Sequence, residues 1–431
     1  MPIASKSAKR PVKEKNLFIY IFNFWTFILI SRPQDFIPEL APFRPALAVG
    51  VIAVISYAYY HWLYKNRFLD NGQCRLYLCL LAAMIISIPF AYYRRNAFTF
   101  FFTQYISAVI FFFLFYKSIN SAKYLTKLLA IISFGTGLYL LCALYKGQII
   151  SGRLFFGPMF DPNDLAFIAI SFLPFNFLFL SANYTLWKRF AAIGNIAIYV
   201  LVILMSGSRA GFVALCVAFL MVFFARARII KNYYKIIIIF MVFIGVIYGG
   251  IKLNLSRLET IVLIERDYNV WDETGRLEVW RKGLGLMLSH PLTGVGVRCF
   301  EEAIAQVRVR QGLPPIWQTA HNSLLLIGAE IGIGGMILFA WISYNALTLF
   351  GKGKNIKSSN TLGKIGGMAR IGFIGHLIAG MFLSQAYSIS WVFFIALSAR
   401  LKDFVREERL AKKQIEGVMP NGFRRVGGLK T

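Results

Sequence analysis

The chain has 431 residues, of which 58% are hydrophobic, 16% aromatic and only 15% charged, with a mean hydropathy of +0.60. Its 47 Lys and Arg against 19 Asp and Glu give a formal net charge of +28, which by itself reads as a nucleic-acid binder. Apolar runs of about 15 to 20 residues exclude that first reading and point to an all-α polytopic membrane protein, with no nucleic-acid partner expected.

Residues 1–16 are basic and lead into an apolar run at 17–30. No small-residue cleavage site follows Ile30, so the run reads as an uncleaved first span rather than a signal peptide. Further runs of spanning length lie at 45–62, 75–91, 98–116, 124–145, 164–181, 190–205, 210–225, 236–251, 321–349, 371–384 and 387–399, which predicts about twelve transmembrane helices. With the N-terminus in the cytoplasm, 31 of the Lys and Arg fall on that side and 16 on the other. The positive-inside rule then places both termini in the cytoplasm. The expected organisation is a basic N-terminus at 1–16, helices one to nine over 17–251, an outer helical loop at 252–320, helices ten to twelve over 321–399, and a basic cytoplasmic tail at 400–431.

The five cysteines form no CxxC pair and no metal-ligand spacing, and four lie in or beside apolar runs, so they read as small buried hydrophobes. The segment 252–320 is the one long loop, and loops of that length usually carry function. It divides into a helix over 275–289, capped by Thr274 and with Leu277, Trp280, Leu284, Met287 and Leu288 on one face, and a second helix over 300–310. The first reads as a helix lying in the membrane interface.

Polar groups collect on the loop side in four places: 32–35 (RPQD), 161–164 (DPND), 206–209 (SGSR) and His321 with Asn322. Arg209 is the sharpest of them. It sits in a turn that is the whole connection between two apolar spans, where a guanidinium either snorkels or holds an anion. Its planar fork suits phosphate oxygens, and Gly207 and Gly211 would let a ligand approach the backbone at a helix N-terminus. Arg276, Arg281 and Arg298 follow in the long loop, with a solvated face as the plainer reading. Arg257 and Arg266 carry no distinguishing local feature. His321 brings a side chain that titrates near neutrality to the start of the tenth span, and Asn322 is placed to orient it or to bind a sugar hydroxyl. Gly328, Gly332, Gly334 and Gly335 thin that span. Glu330 and His376 are the ionisable groups deepest in the apolar runs, and the spacing makes them a candidate structural pair or, less favoured, a proton relay. There is no Walker A sequence, no GxGxxG, no HExxH and no DxD.

Taken in order, these segments resemble the bacterial O-antigen ligase and polysaccharide polymerase superfamily. The resemblance rests on RPQDFIPELAPFRP, GPMFDPNDLA, SGSRAG, GRLEVWRKGLGLMLSHPLTGVG and HNSLLLIGAEIGIGG, from about Ser31 to Trp391. The last contains His321, Asn322, Gly332 and Gly335 at the ligase spacing. The resemblance implies a GT-C-like glycosyltransferase of the bacterial inner membrane that needs no cofactor or metal. Its donor would be a glycan on undecaprenyl diphosphate at the periplasmic face, and its acceptor the lipid A–core oligosaccharide. It implies Arg209 and Arg276 as diphosphate ligands and His321 as the group that activates the acceptor hydroxyl. Arg32, Asn163, Asn322, Arg281 and Arg298 are supporting candidates. A polymerase joining lipid-linked repeat units and a protein O-oligosaccharyltransferase share these motifs. A secondary transporter or flippase is the alternative of a different class.

Overall fold

The computed structural model describes residues 14–62, 70–157, 161–181, 183–224, 272, 275–352 and 360–418. These residues are overwhelmingly helical. Helices α1 (Glu14–Ser31), α2 (Pro33–Phe36), α3 (Pro45–Trp62) and α4 (Gly72–Ser87) are followed by α5 (Arg94–Thr99), α6 (Ile106–Ser118) and α7 (Ala122–Lys146). A two-stranded antiparallel hairpin, β1 (Gln148–Ile150) and β2 (Arg153–Phe155), precedes α8 (Pro162–Phe172), α9 (Leu186–Met205) and α10 (Arg209–Phe223). The remaining helices are α11 (Arg276–Ser289), α12 (Phe300–Arg310), α13 (Ser323–Lys352), α14 (Asn360–Gly380) and α15 (Ile389–Val418).

Local chemistry explains where several of these begin. Asp161 Oδ1 accepts the N–H of Asp164 at 2.8 Å with Pro162 in the first turn, and Ser208 Oγ accepts the N–H of Gly211 at 3.2 Å. Asn322 Oδ1 accepts from Leu324 and Leu325, both at 3.0 Å. The DPND, SGSR and HNS sequences are therefore N-caps, satisfying donors that a helix start leaves open.

Among the described residues, seven helical stretches are long and apolar enough to cross a bilayer, the last of them Ser323–Gly351, and two shorter apolar helices cover Leu17–Ser31 and Arg209–Phe223. The expected ninth span at 236–251, together with Arg257, Arg266 and Thr274, lies outside the described residues. The expected spans at 371–384 and 387–399 overlap longer helices, which leave 381–384 and 387–388 outside them. α14 starts at Asn360 and carries Lys364 and Arg370, and α15 runs into the charged stretch after Arg400, so neither is uniformly apolar over a membrane thickness. α8 and its continuation Leu173–Leu180 form the most enclosed part of the bundle, packed by α7, α9 and α14. Pro174 lacks the N–H an α-helix needs, and the chain tightens there into a 3-10 turn.

The cysteines are all free, but only Cys74 and Cys299 are buried. Cys79 and Cys216 lie on the outer, exposed surface.

The tenth predicted span is not one continuous helix. Gly332 has φ 85 and ψ 176, a conformation close to glycine's own, and it breaks α13. The segment after α11 fills the break. Ile333 N–H donates to Pro291 O at 2.8 Å, while Val295 N–H donates to Ala329 O at 2.8 Å and Gly296 N–H to Glu330 O at 3.0 Å. The ladder lost at the kink is rebuilt with the outer loop, which meets the demand that backbone groups within a span be satisfied. α11 is accordingly no simple interfacial helix. Val279, Gly283, Leu286 and Met287 are buried, with Met287 against Gly328 of α13, while Leu277, Leu284 and Leu288 stay exposed.

Candidate active site

The four polar segments meet at one end of the bundle. Arg32, in the left-handed region with φ 43, pairs with Asp35 at 2.6 Å, and the Tyr139 hydroxyl donates to the same carboxylate at 3.3 Å. Lys146 Nζ donates to Phe36 O at 2.7 Å, fastening α2 to the end of α7.

The hairpin carries a residue that the sequence reading missed. Arg153 Nε donates to Ser206 O at 2.9 Å, and its Nη2 donates to Asn163 Oδ1 at 2.8 Å. One guanidinium thus joins the start of α8 to the turn that presents Arg209. Gly207 takes φ 59 against the Arg153 side chain. Gly211 serves packing rather than ligand approach, since a Cβ there would lie 2.6 Å from that of Ala166 on α8. Arg209 is the first residue of α10 and half-buried, beside the positive end of the helix.

His321 is the centre of the arrangement. It has φ 46, and its backbone N–H donates to Ser384 Oγ at 2.9 Å. Its Nε2 lies 3.1 Å from Thr319 Oγ1. Burial lowers its pKa from the usual histidine value. The positive charge of Arg276, at the start of α11, pushes the same way, and Asp161 opposes them. Among the described residues, the imidazole therefore lies within the electrostatic reach of both Arg276 and Asp161 and is neutral near pH 7.

The loop between α14 and α15 supports this centre from below. Gln385 Nε2 donates to Asp164 Oδ1 at 2.7 Å, and Gln385 N–H donates to Ser323 Oγ at 3.0 Å. Ser323 Oγ in turn donates to Leu383 O at 2.7 Å. The sequence reading placed Ser384 at the end of a span. The polar Ser-Gln pair at 384–385 is the one local sign that the chain leaves the helix there.

Asn163 is engaged with Arg153 and Asp161, and the Asn322 carbonyl oxygen caps α13. Arg281 is exposed, held by two 2.8 Å hydrogen bonds to Glu278. Arg298 is exposed with φ 60, its Nη1 3.9 Å from Glu301. Arg281 stays on the solvent side, whereas Arg298 lines a small pocket with Thr319 and Ser384, the two hydroxyl residues bonded to His321.

Glu330 and His376 do not pair. Glu330 accepts from Arg298 N–H at 2.8 Å, Phe300 N–H at 3.0 Å and the Tyr387 hydroxyl at 2.6 Å. His376 Nδ1 lies 2.9 Å from Ser171 Oγ, and its ring packs on Phe167, Phe373 and Phe394. Helical depth alone made them look like partners; the break in α13 brings the outer loop to Glu330 instead. A π-helical turn at Phe100–Tyr105 puts both of its end residues against the Tyr387 ring, because its wider register sets residues five apart on one face.

The fold and this end of it define a polytopic helical membrane protein whose outer loop brings an arginine beside a neutral histidine at the head of a broken span. Residues 194–340 match the family model described as Wzy_C, O-Antigen ligase, so this part of the chain is similar to that family. The matched segment contains Arg209, Arg276, Arg281, Arg298, His321 and Asn322, and leaves Arg32 and Asn163 outside. No curated protein matches the chain.

Proposed function

We propose that the chain is an O-antigen ligase-type glycosyltransferase of the bacterial inner membrane, GT-C-like and with twelve spans. It moves a glycan from undecaprenyl diphosphate to the lipid A–core oligosaccharide at the periplasmic face, with inversion and without a metal. Both termini lie in the cytoplasm and the 252–320 loop in the periplasm.

The observation that carries this reading is the half-buried His321, whose protonation is opposed by burial and by Arg276. A neutral imidazole is the form that takes a proton. In the tautomer whose Nε2–H donates to Thr319 Oγ1, 3.1 Å away, Nδ1 keeps its lone pair for the acceptor hydroxyl. That hydroxyl oxygen attacks the anomeric carbon, the bond from this carbon to the diphosphate oxygen breaks, and His321 receives the hydroxyl proton. Arg209 and Arg276 hold the charge that grows on the leaving diphosphate, as preorganised cations do at low dielectric. Arg153 and Asn163 keep the Arg209 turn in place, and Asn322 sets the helix start behind His321.

Purified protein incubated with undecaprenyl-diphosphate glycan and each acceptor class, without added metal or ATP, tests the reading. Transfer to lipid A–core that is lost in His321→Ala and Arg209→Ala supports it. Retention of transfer in both variants overturns the assignment of residues, and transfer only to a second lipid-linked unit makes the protein a polymerase. The transporter alternative drew on a Glu330–His376 pair, and the separate partners of these two residues remove that support.

A further inference from the structure

His321 is held at two points by hydroxyl side chains from different parts of the chain. Ser384, in the loop between α14 and α15, takes its backbone N–H at 2.9 Å, and Thr319 Oγ1 lies 3.1 Å from Nε2. The backbone at His321 has φ 46, a left-handed conformation that a side chain makes costly. Such a conformation persists where surrounding contacts fix it, and the Ser384 bond is one of them. With the backbone set, the orientation of the ring falls to Thr319.

Thr319 and Ser384 also line one cleft with Arg298 and Glu301, and its cavity volume is about 10 Å³. That is room for about one water and not for a sugar ring. A saccharide hydroxyl therefore has no way to Nε2 from the Thr319 side. Nδ1 is the other ring nitrogen, and among the described residues it makes no hydrogen bond.

A neutral imidazole carries one proton, and the bond made at one nitrogen sets what the other can do. A threonine hydroxyl both donates and accepts, so the 3.1 Å contact is open to either direction. Only one direction leaves a base on the open side. If Thr319 donated to Nε2, the proton would sit on Nδ1 and the open nitrogen could not take another. If Thr319 accepts, Nδ1 is free to take the hydroxyl proton. The ring then becomes cationic while Nε2–H still points at Thr319, so that bond becomes charge-assisted and strengthens on the way to the transition state.

We propose that Thr319 is a positioning residue for glycosyl transfer: its Oγ1 accepts from His321 Nε2–H and thereby turns the Nδ1 lone pair toward the acceptor hydroxyl. The proposal rests on the glycosyl-transfer reading for the reaction that His321 serves. The hydrogen bond itself is measurable without any substrate.

Nitrogen magnetic resonance of the full-length protein, isotope-labelled at histidine and held in lipid vesicles at about pH 8, reads the tautomer directly, because the lowered pKa of His321 keeps its ring neutral there. The chain has four histidines, and the spectrum of His321→Gln assigns the signals. The expected result is a protonated Nε2 and a bare Nδ1 at His321. The opposite tautomer overturns the proposal. Thr319→Val keeps the shape but removes the acceptor, and is expected to shift the Nε2 signal. It should also lower kcat roughly 10- to 100-fold with KM changed less than about 2-fold, since the bond is strongest in the transition state. Thr319→Ser restores the acceptor and should recover most of both. An Nε2 signal unmoved in Thr319→Val overturns the proposal, as does a raised KM with kcat intact, or a Thr319→Ser protein that behaves like Thr319→Val. Should Thr319→Val not give a monodisperse protein, the tautomer in the unsubstituted protein and in Thr319→Ser still decides the matter. The expected tautomer and its dependence on Thr319, found in a protein that transfers no glycan, would place the failure in the enzymatic reading and not in the hydrogen bond.

Discussion

The carboxylate of Glu330, eight residues into α13, accepts the backbone N–H of Arg298 at 2.8 Å. With Phe300 N–H and the Tyr387 hydroxyl on the same carboxylate, three parts of the chain meet there: the broken span, the start of α12 and the loop before α15. Glu330→Ala would leave two backbone donors and a hydroxyl without an acceptor in a buried place. Each such group costs about 1–3 kcal/mol, so a clear drop in the detergent melting temperature is expected. Tyr387→Phe removes one bond of the three and should lower it less. Size-exclusion thermostability checks the order of the two.

Gly332 admits no side chain without cost, because a Cβ there would lie 2.6 Å from Pro291 O and the backbone conformation is one that L-residues avoid. Gly332→Ala is expected to destabilise by roughly 1–3 kcal/mol from backbone conformation alone. It should also loosen residues 291–296, which faster protease cleavage or hydrogen exchange in that segment would report.

The depressed basicity of His321 has a definite sign in pH. Burial and Arg276 disfavour the imidazolium, so activity stays level above about pH 6.5 and falls only as pH drops towards the lowered pKa. Arg276→Gln removes a cation and moves the acidic limb upward, measured on the residual transfer rate. The unfolded chain takes up the same proton nearer the ordinary value. His321 therefore contributes stability above that value, and this contribution is lost as pH falls through the folded pKa.

Arg153 touches no proposed substrate atom in this scheme, yet it joins Asn163 to the Ser206 carbonyl. Arg153→Ala is expected to reduce transfer by up to about 100-fold through misplacement of Arg209. Arg153→Lys, a point charge without the fork, should recover only part of the loss. Steady-state rates at matched expression check both.

Much of the architecture was legible in the chain itself. The helix over 300–310 matches α12 to the residue, and the helix expected over 275–289 differs from α11 only in Gly275, which occupies the N-cap position. Hydropathy set the expected spans from 45–62 to 190–205 close to helices of spanning length. His321, Arg276 and Arg209 stand out by position, because polar groups between apolar runs are rare enough to be read singly. The bounds of the last two expected spans differ from those of α14 (Asn360–Gly380) and α15 (Ile389–Val418), because a hydropathy window stops where charge begins while a helix does not.

Local sequence determined the helix starts and the hydropathic order of the chain, since capping by Asp161, Ser208 and Asn322 and the length of an apolar run depend on neighbours a few residues away. Tertiary structure alone decided that Glu330 holds the outer loop instead of pairing with His376, and that Arg153 ties Asn163 to the turn of Arg209. The physical reason is the break at Gly332. Once α13 gives up part of its own hydrogen-bond ladder, the partners that repair it, the Pro291 carbonyl and the N–H groups of Val295 and Gly296, lie more than 30 positions earlier in the chain, and no local pattern announces them.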